Sequence, residues 1–212
     1  MRLRLPYFAA IGALTASSAL AHPHVFVDAR AGFLFNDAGQ LTALRIAWTY
    51  DAFTSLTLFD ILNLDTDNDG ALDDADRAAI VAGETEWQDD YQGDTYLEQN
   101  GAPVAMAKPV SGAASLAEDR ITVSFDLPLT TPLDVTDSVV LRLYDPNYYY
   151  AYTVVGLEKN APEGCRTALA PFTHDTATAE LQAQLARLSR EETPEQADVG
   201  RLFADQVVLA CD

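Results

Sequence analysis

Six aspartates crowd one stretch of the chain, Asp65-Thr66-Asp67-Asn68-Asp69-Gly70-Ala71-Leu72-Asp73-Asp74-Ala75-Asp76. Carboxylates at alternating positions suit a hard divalent cation, and the run follows the twelve-residue calcium loop of EF-hands at all positions but the last. Asp65, Asp67 and Asp69 take positions 1, 3 and 5, which converge because the loop wraps the ion. Gly70 takes position 6, where the sharp turn calls for a residue without a Cβ. Ala71 offers its carbonyl at position 7, and Asp73 at position 9 binds directly or through water. Leu72 fills the apolar place that pins such a loop to a core. At position 12, Asp76 replaces the usual glutamate, and its shorter arm predicts lower affinity or weaker selection against Mg²⁺. The plainer reading is an acidic turn capping a helix. The D-x-D-x-D-G spacing between two helical segments favours Ca²⁺. A lone loop outside the cell stays filled, so its expected role is structural.

The chain has only three histidines, so imidazole chemistry has few owners. Arg2 and Arg4, the apolar run Leu5–Leu14 and the close Ala19-Leu20-Ala21 read as a secretory signal peptide, residues 1–21, cut after Ala21. Cleavage would make His22 the first residue, followed by Pro23 and His24. The amino-terminal copper/nickel chelate built on backbone amides is blocked, because Pro23 has no N–H. The α-amine and ring of His22 can still close a chelate, and His24, two residues on in an extended chain, projects to the same side. Amine and imidazole donors suit Cu²⁺, Ni²⁺, Co²⁺ or Zn²⁺ better than calcium. His174 is the remaining imidazole and joins the site if the fold brings it near. Against this stands a frayed polar start, with His174 merely capping a helix. Asp28, Asp145 and the run Tyr148–Tyr152 are outer candidates, with packing the plainer role for the tyrosines.

Composition narrows the function classes. A chain of 212 residues with 49% hydrophobic residues can bury a core, and its net charge of −19 disfavours nucleic acid and anionic membrane surfaces. Removing residues 1–21 takes away two arginines and no acid, which deepens that charge. No segment beyond the leader is apolar enough to span a membrane, so the product is expected in the periplasm. Residues 22–212 read as a single domain with an insertion over about 52–93.

The elements that must position these residues follow from hydrophobic period. Strands are expected at Val25–Asn36, Leu41–Tyr50, Thr95–Gln99, Val104–Pro109, Arg120–Leu127, Val139–Tyr144 and Tyr148–Leu157. Helical spacing covers Asp51–Leu62, Asp74–Gln92 and Thr176–Glu192, and a last helix or strand ends at Cys211. The sum is an α+β fold: a mainly antiparallel, sandwich-like sheet domain with an EF-hand-like helix-loop-helix insertion and C-terminal helices. Cys165 and Cys211, the only cysteines, are expected to form a structural disulfide in an oxidising compartment.

A leader followed by His22-Pro23-His24-Val25-Phe26, the acidic loop, Tyr144-Asp145-Pro146-Asn147-Tyr148-Tyr149 and the late cysteine pair together resemble a bacterial periplasmic family. It is the domain-of-unknown-function 1007 family, the periplasmic component of an uncharacterised transport system. The resemblance implies association with nickel/cobalt-type permeases of the inner membrane, and it brings no enzymatic activity. The expected function is an exported metal-binding accessory protein that assists a transition-metal transporter. The alternatives are a copper oxidase built on the amino-terminal histidine, and a calcium-stabilised structural or interaction protein. No Ser-His-Asp arrangement, phosphate loop or H-E-x-x-H motif supports a hydrolase.

Overall fold

The computed structural model describes residues 22–158, 161–189 and 191–211; the expected signal peptide, residues 1–21, lies outside the described residues. Strand β1, Val25–Phe35, alternates inward Val25, Val27, Ala29, Ala31 and Phe33 with outward neighbours, the period of a half-buried strand. It turns at Asn36, whose side chain accepts the N–H groups of Ala38 and Gln40. Strand β2, Leu41–Tyr50, then runs back with Leu44, Ile46 and Trp48 buried, pairing Val27 with Tyr50 and Ala29 with Trp48.

Two helices follow. Helix α1, Ala52–Leu62, is capped by Asp51, whose carboxylate accepts the N–H of Thr54 at 2.9 Å, and it stops at Asn63 in the left-handed region. Helix α2 spans Asp74–Thr85. Strands β3 (Thr95–Gln99), β4 (Ala102–Pro103), β5 (Val110–Ala117), β6 (Arg120–Leu133), β7 (Ser138–Leu143), β8 (Tyr150–Leu157) and β9 (Cys165–Ala170) come next. Helix α3 (Thr176–Leu185), a 3-10 turn (Val199–Phe203) and strand β10 (Gln206–Cys211) complete the chain.

The strands form two sheets. The first has the order β5-β6-β2-β1-β8, antiparallel except for the parallel β1/β8 pair. The second has the order β4-β3-β7-β10-β9, and its pairs are antiparallel. Leu97, Leu141, Val207 and Leu209 from the second sheet share one core with Phe33, Ile46 and Phe125 from the first. This is the sheet-rich α+β fold expected. Cys165 and Cys211 are opposed across β9 and β10 and form a disulfide.

Several boundaries differ from the sequence reading. The helix expected to reach Gln92 ends at Thr85. Beyond it, Trp87 donates its indole N–H to the Glu84 carbonyl and packs between Trp48 and Phe125, so the chain leaves the helix to bury that ring. Of the strand expected at Val104–Pro109 only an isolated Met106–Leu129 bridge remains; Pro103 and Pro109, at its margins, lack ladder donors. Strand β5 has no counterpart in the sequence reading because Val110–Ala117 is mostly Ser, Gly and Ala, which carry little strand signal. It holds an edge of the first sheet, where Gly112 lets Val81 of α2 approach to a distance no Cβ would permit. Helix α3 ends at Leu185 instead of Glu192, and Leu181, Leu185 and Leu188 pack with Tyr148, Val199 and Phe203 in a second, smaller cluster.

Candidate metal centre

The acidic loop bridges α1 and α2. Left-handed backbone at Asp65, Asn68 and Gly70 winds the chain so that single carboxylate oxygens of Asp65, Asp67 and Asp69 lie within 4.8 Å of one another. Among the described residues these three are the group of His, Cys, Asp or Glu side chains so gathered. Asp65 accepts the N–H of Asp69 at 2.9 Å and that of Gly70, while Asp69 accepts from Ala71 at 2.8 Å. Repulsion from Asp69 comes first among the causes that raise the pKa of Asp67. Buried Leu64 and Leu72 anchor the loop on both sides.

Asp73 and Asp76 also join the loop to α2. Asp73 is the N-cap of α2 and accepts the N–H of Asp76 at 2.8 Å, while the Asp76 carboxylate reaches back to the N–H of Asp73, a reciprocal capping box. Asp76 also accepts the N–H of Asp65, tying the first loop residue to the last. Ala71 is exposed. Sequence spacing thus brings together three carboxylates and leaves two as caps.

The histidines sit at the start of β1. His24 and Val25 donate their N–H groups to the Tyr149 carbonyl at 2.8 and 3.2 Å, which sets the histidine segment beside the turn before β8. The imidazole centroids of His22 and His24 lie 5.1 Å apart, and the Tyr149 ring lies 5.9 Å from the first and 4.5 Å from the second. His22 is only 4% exposed, and its Nδ1 is buried with no hydrogen-bond partner among the described residues. A buried ring nitrogen without a partner is costly unless a ligand claims it.

His174 lies between β9 and α3. It is exposed, packs edge-on against Phe172 at 4.7 Å, and lines a cavity of about 360 Å³ with Tyr148, Phe203 and Asp205. The cap of α3 is the neighbouring Asp175. Asp28 is paired with Arg120 at 2.8 Å. Asp145 accepts the N–H groups of Asn147, Tyr149 and Tyr150, so its role is to shape the turn that presents Tyr149.

Behind that turn, Asp94, Tyr50 and Glu84, which the sequence reading does not single out, meet Tyr150 and Tyr152 of the tyrosine run named there as an outer candidate. Tyr152 donates its hydroxyl to Asp94 at 2.8 Å, with Asp94 only 5% exposed. Burial pushes the Asp94 carboxyl up to about 7, with the Tyr152 hydrogen bond opposing the shift and the Asp145 charge adding to it. Tyr50 donates to Glu84, whose pKa is likewise raised by burial. Burial also pushes Tyr150 up to about 12. No motif marks these residues. The only sequence signal was an aspartate, Asp94, set between Gly93 and the strand Thr95–Gln99.

Residues 7–211 match the family described as protein of unknown function (DUF1007), and the chain belongs to that family. A protein of Haemophilus influenzae, described as uncharacterized, is 25% identical over 218 residues, covering 97% of this chain and 98% of its own length. Neither description names an activity. Among the described residues no helix is long and apolar enough to cross a membrane.

Proposed function

We propose that the protein binds metal ions: a transition metal at His22 and His24, and a structural calcium in the Asp65–Asp76 loop. The observation that carries this reading is the pair of imidazoles 5.1 Å apart beside Tyr149, one of them buried with an Nδ1 that has no partner among the described residues. Neutral imidazole is a donor for Cu, Ni, Co or Zn. Once the chain is cut after Ala21, the α-amine of His22 adds a third nitrogen, and Pro23 directs the ion to side-chain donors by withholding its own amide. The proposed donor set is His22 and His24; His174 lines a cavity whose lining includes neither of them, and it is not part of this proposal.

The calcium reading rests on the three converging carboxylates and on the two buried leucines that fix their loop. Compartment and partner follow the leader-like residues 1–21 and the family resemblance: the periplasm, and an inner-membrane metal permease that receives the ion. The role is that of an accessory that captures or presents metal.

Calorimetric titration with Cu²⁺, Ni²⁺, Co²⁺ and Zn²⁺ tests this reading. Secreted protein beginning at His22 takes up one ion tightly, and His22→Ala and His24→Ala each weaken uptake by tenfold or more, as expected for losing about 1.4 kcal/mol or more of ligand energy. An alanine added before His22 weakens it as well, by displacing the amine. Equal uptake by all four proteins removes the site.

A further inference from the structure

The rings behind the two histidines form an unbroken series of oxidisable groups. Tyr149 lies 4.5 Å from His24, and Tyr150 lies 5.6 Å from Tyr149. Tyr152 follows at 6.3 Å, Trp48 at a further 5.9 Å, Trp87 at 6.3 Å and Tyr91 at 5.6 Å, all between neighbouring centroids. Phenol and indole are, apart from sulfur groups, the side chains that most easily give up an electron. Electron tunnelling falls steeply with distance, so short steps between rings in near contact outrun one long jump. The inner members are shielded, with Trp48 3% and Tyr152 9% exposed, whereas Tyr91 at the far end is 43% exposed.

We infer that Tyr149, Tyr150, Tyr152, Trp48, Trp87 and Tyr91 form a conduit that carries one-electron oxidising equivalents from a metal at His22 and His24 out to the surface. This rests on the transition-metal reading above and narrows its metal class to copper, which cycles between Cu(I) and Cu(II) at nitrogen sites. The co-reactant is a peroxide, the oxidant that Cu(I) activates. The conduit spares the histidines, the ligands that such chemistry would otherwise destroy.

The chemistry balances with hydrogen peroxide. Its reduction to two waters takes two electrons and two protons. One electron comes from Cu(I), which becomes Cu(II). The second leaves Tyr149 and is replaced ring by ring until Tyr91 is the oxidised residue. The phenolic proton of Tyr91 is the first proton, and solvent supplies the second, so the O–H bond of Tyr91 and the O–O bond break while water O–H bonds form.

Proton placement inside the chain fits this role. A buried phenol is oxidised readily only where its proton has an acceptor, and the Tyr152 hydroxyl already donates to Asp94 at 2.8 Å. Burial raises the Asp94 pKa to about 7, which makes its carboxylate a stronger base than an exposed one. Tyr152 hands its proton across and takes it back as the electron vacancy passes. The Trp48 N–H is buried with no hydrogen-bond partner among the described residues, so a vacancy there loses no proton and moves on.

The test is to load the secreted protein with copper, confirm uptake by the Cu(II) spin-resonance signal, reduce it, add hydrogen peroxide, and map oxidised residues by peptide mass spectrometry. Wild-type protein accumulates oxidation at Tyr91 and keeps its histidines; zinc-loaded protein is oxidised at neither Tyr91 nor the histidines. Trp48→Phe interrupts the series, cuts Tyr91 oxidation severalfold and shifts damage to His22, His24 and Tyr149, whereas Trp48→Tyr restores the wild-type pattern. Tyr152→Phe, which keeps the ring volume, gives the same shift as Trp48→Phe and serves if that variant folds poorly. An unchanged oxidation map in both interrupted variants, with the copper signal intact, overturns the conduit and leaves the metal reading standing. Absence of the copper signal in wild-type protein overturns the conduit, and the metal reading falls with it only if Ni²⁺, Co²⁺ and Zn²⁺ are not taken up either.

Discussion

The carboxylate of Asp145 accepts the backbone N–H of Tyr149 at 2.7 Å. Two further N–H groups, those of Asn147 and Tyr150, converge on the same side chain. The carbonyl of Tyr149 in turn receives His24 and Val25, so one aspartate holds the turn against which the histidine segment is laid.

Asp145→Ala therefore strips the acceptor from three amides and is expected to lower stability by about 1–3 kcal/mol. It should also weaken metal uptake at His22 and His24, although both imidazoles remain. Asp145→Asn keeps one acceptor oxygen and should fall between. Urea unfolding and metal titration on the three proteins check this; an Asp145→Ala protein with wild-type values in both would show that the turn holds its shape without the carboxylate.

The acidic loop predicts a calcium-dependent melting temperature. A site with a Kd of about 10⁻⁴ M in ~1 mM calcium gains roughly 1.4 kcal/mol by linkage, and a chelator should remove that gain. Asp67→Asn should abolish the calcium response. Without calcium the variant should be at least as stable as the wild type, because one of the three mutually repelling carboxylates, the one whose pKa Asp69 raises, is gone. Melting scans with calcium and with chelator measure both effects, and a calcium-independent wild-type curve would sink the site.

Much of this arrangement is legible in the sequence where local chemistry decides it. The β1/β2 hairpin, the helix beginning near Asp51 and the winding of the acidic loop follow from alternation, helical spacing and Gly70. The cysteine pair could be named from compartment and count. What escaped depends on contacts distant along the chain. Trp87 leaves helical backbone because Trp48 and Phe125 accept its ring. Strand β5 forms because β6 offers an open edge, and its own residues carry little strand preference. Asp94 becomes unusual only when Tyr152, which follows it by 58 positions, closes over it. His174 could be read only as a third imidazole of undefined place; the fold sets it on a cavity with Tyr148, Phe203 and Asp205, a grouping with no local sequence signal.

The disulfide staples edge strand β9 to β10, closing a loop over a sequence separation of 46. Chain-entropy reasoning assigns such a loop about 4 kcal/mol. Cys165→Ser with Cys211→Ser, or reduction by dithiothreitol, should lower the unfolding free energy by about that amount and loosen Cys165–Ala170 first, since among the described residues β9 has a strand partner on one side only. Denaturant titration and amide hydrogen exchange read the two effects. Equal stability of oxidised and reduced protein would mean that β9 holds its register through hydrogen bonds alone.

Asp94 predicts how stability changes with pH. Its carboxyl is raised from 3.8 to about 7 in the folded chain, with burial the main cause. Below about pH 4 the group is protonated in both folded and unfolded chains and costs nothing extra. As pH rises from there toward 7, the unfolded chain releases the proton while the folded chain still holds it, so unfolding becomes progressively easier. The loss levels off above the folded pKa, at no more than about 4 kcal/mol. Asp94→Asn removes the ionisation yet keeps an oxygen for the Tyr152 hydroxyl. The variant should therefore match the wild type near pH 4 and exceed it in stability by a growing margin up to about pH 7. Carboxylates whose pKa is lowered, such as Asp51 and Glu98, act in the opposite sense and are common to both proteins, so they cancel in the difference. Urea unfolding of the pair across this range gives the margin directly, and a margin that does not change with pH would show that Asp94 titrates as an ordinary aspartate.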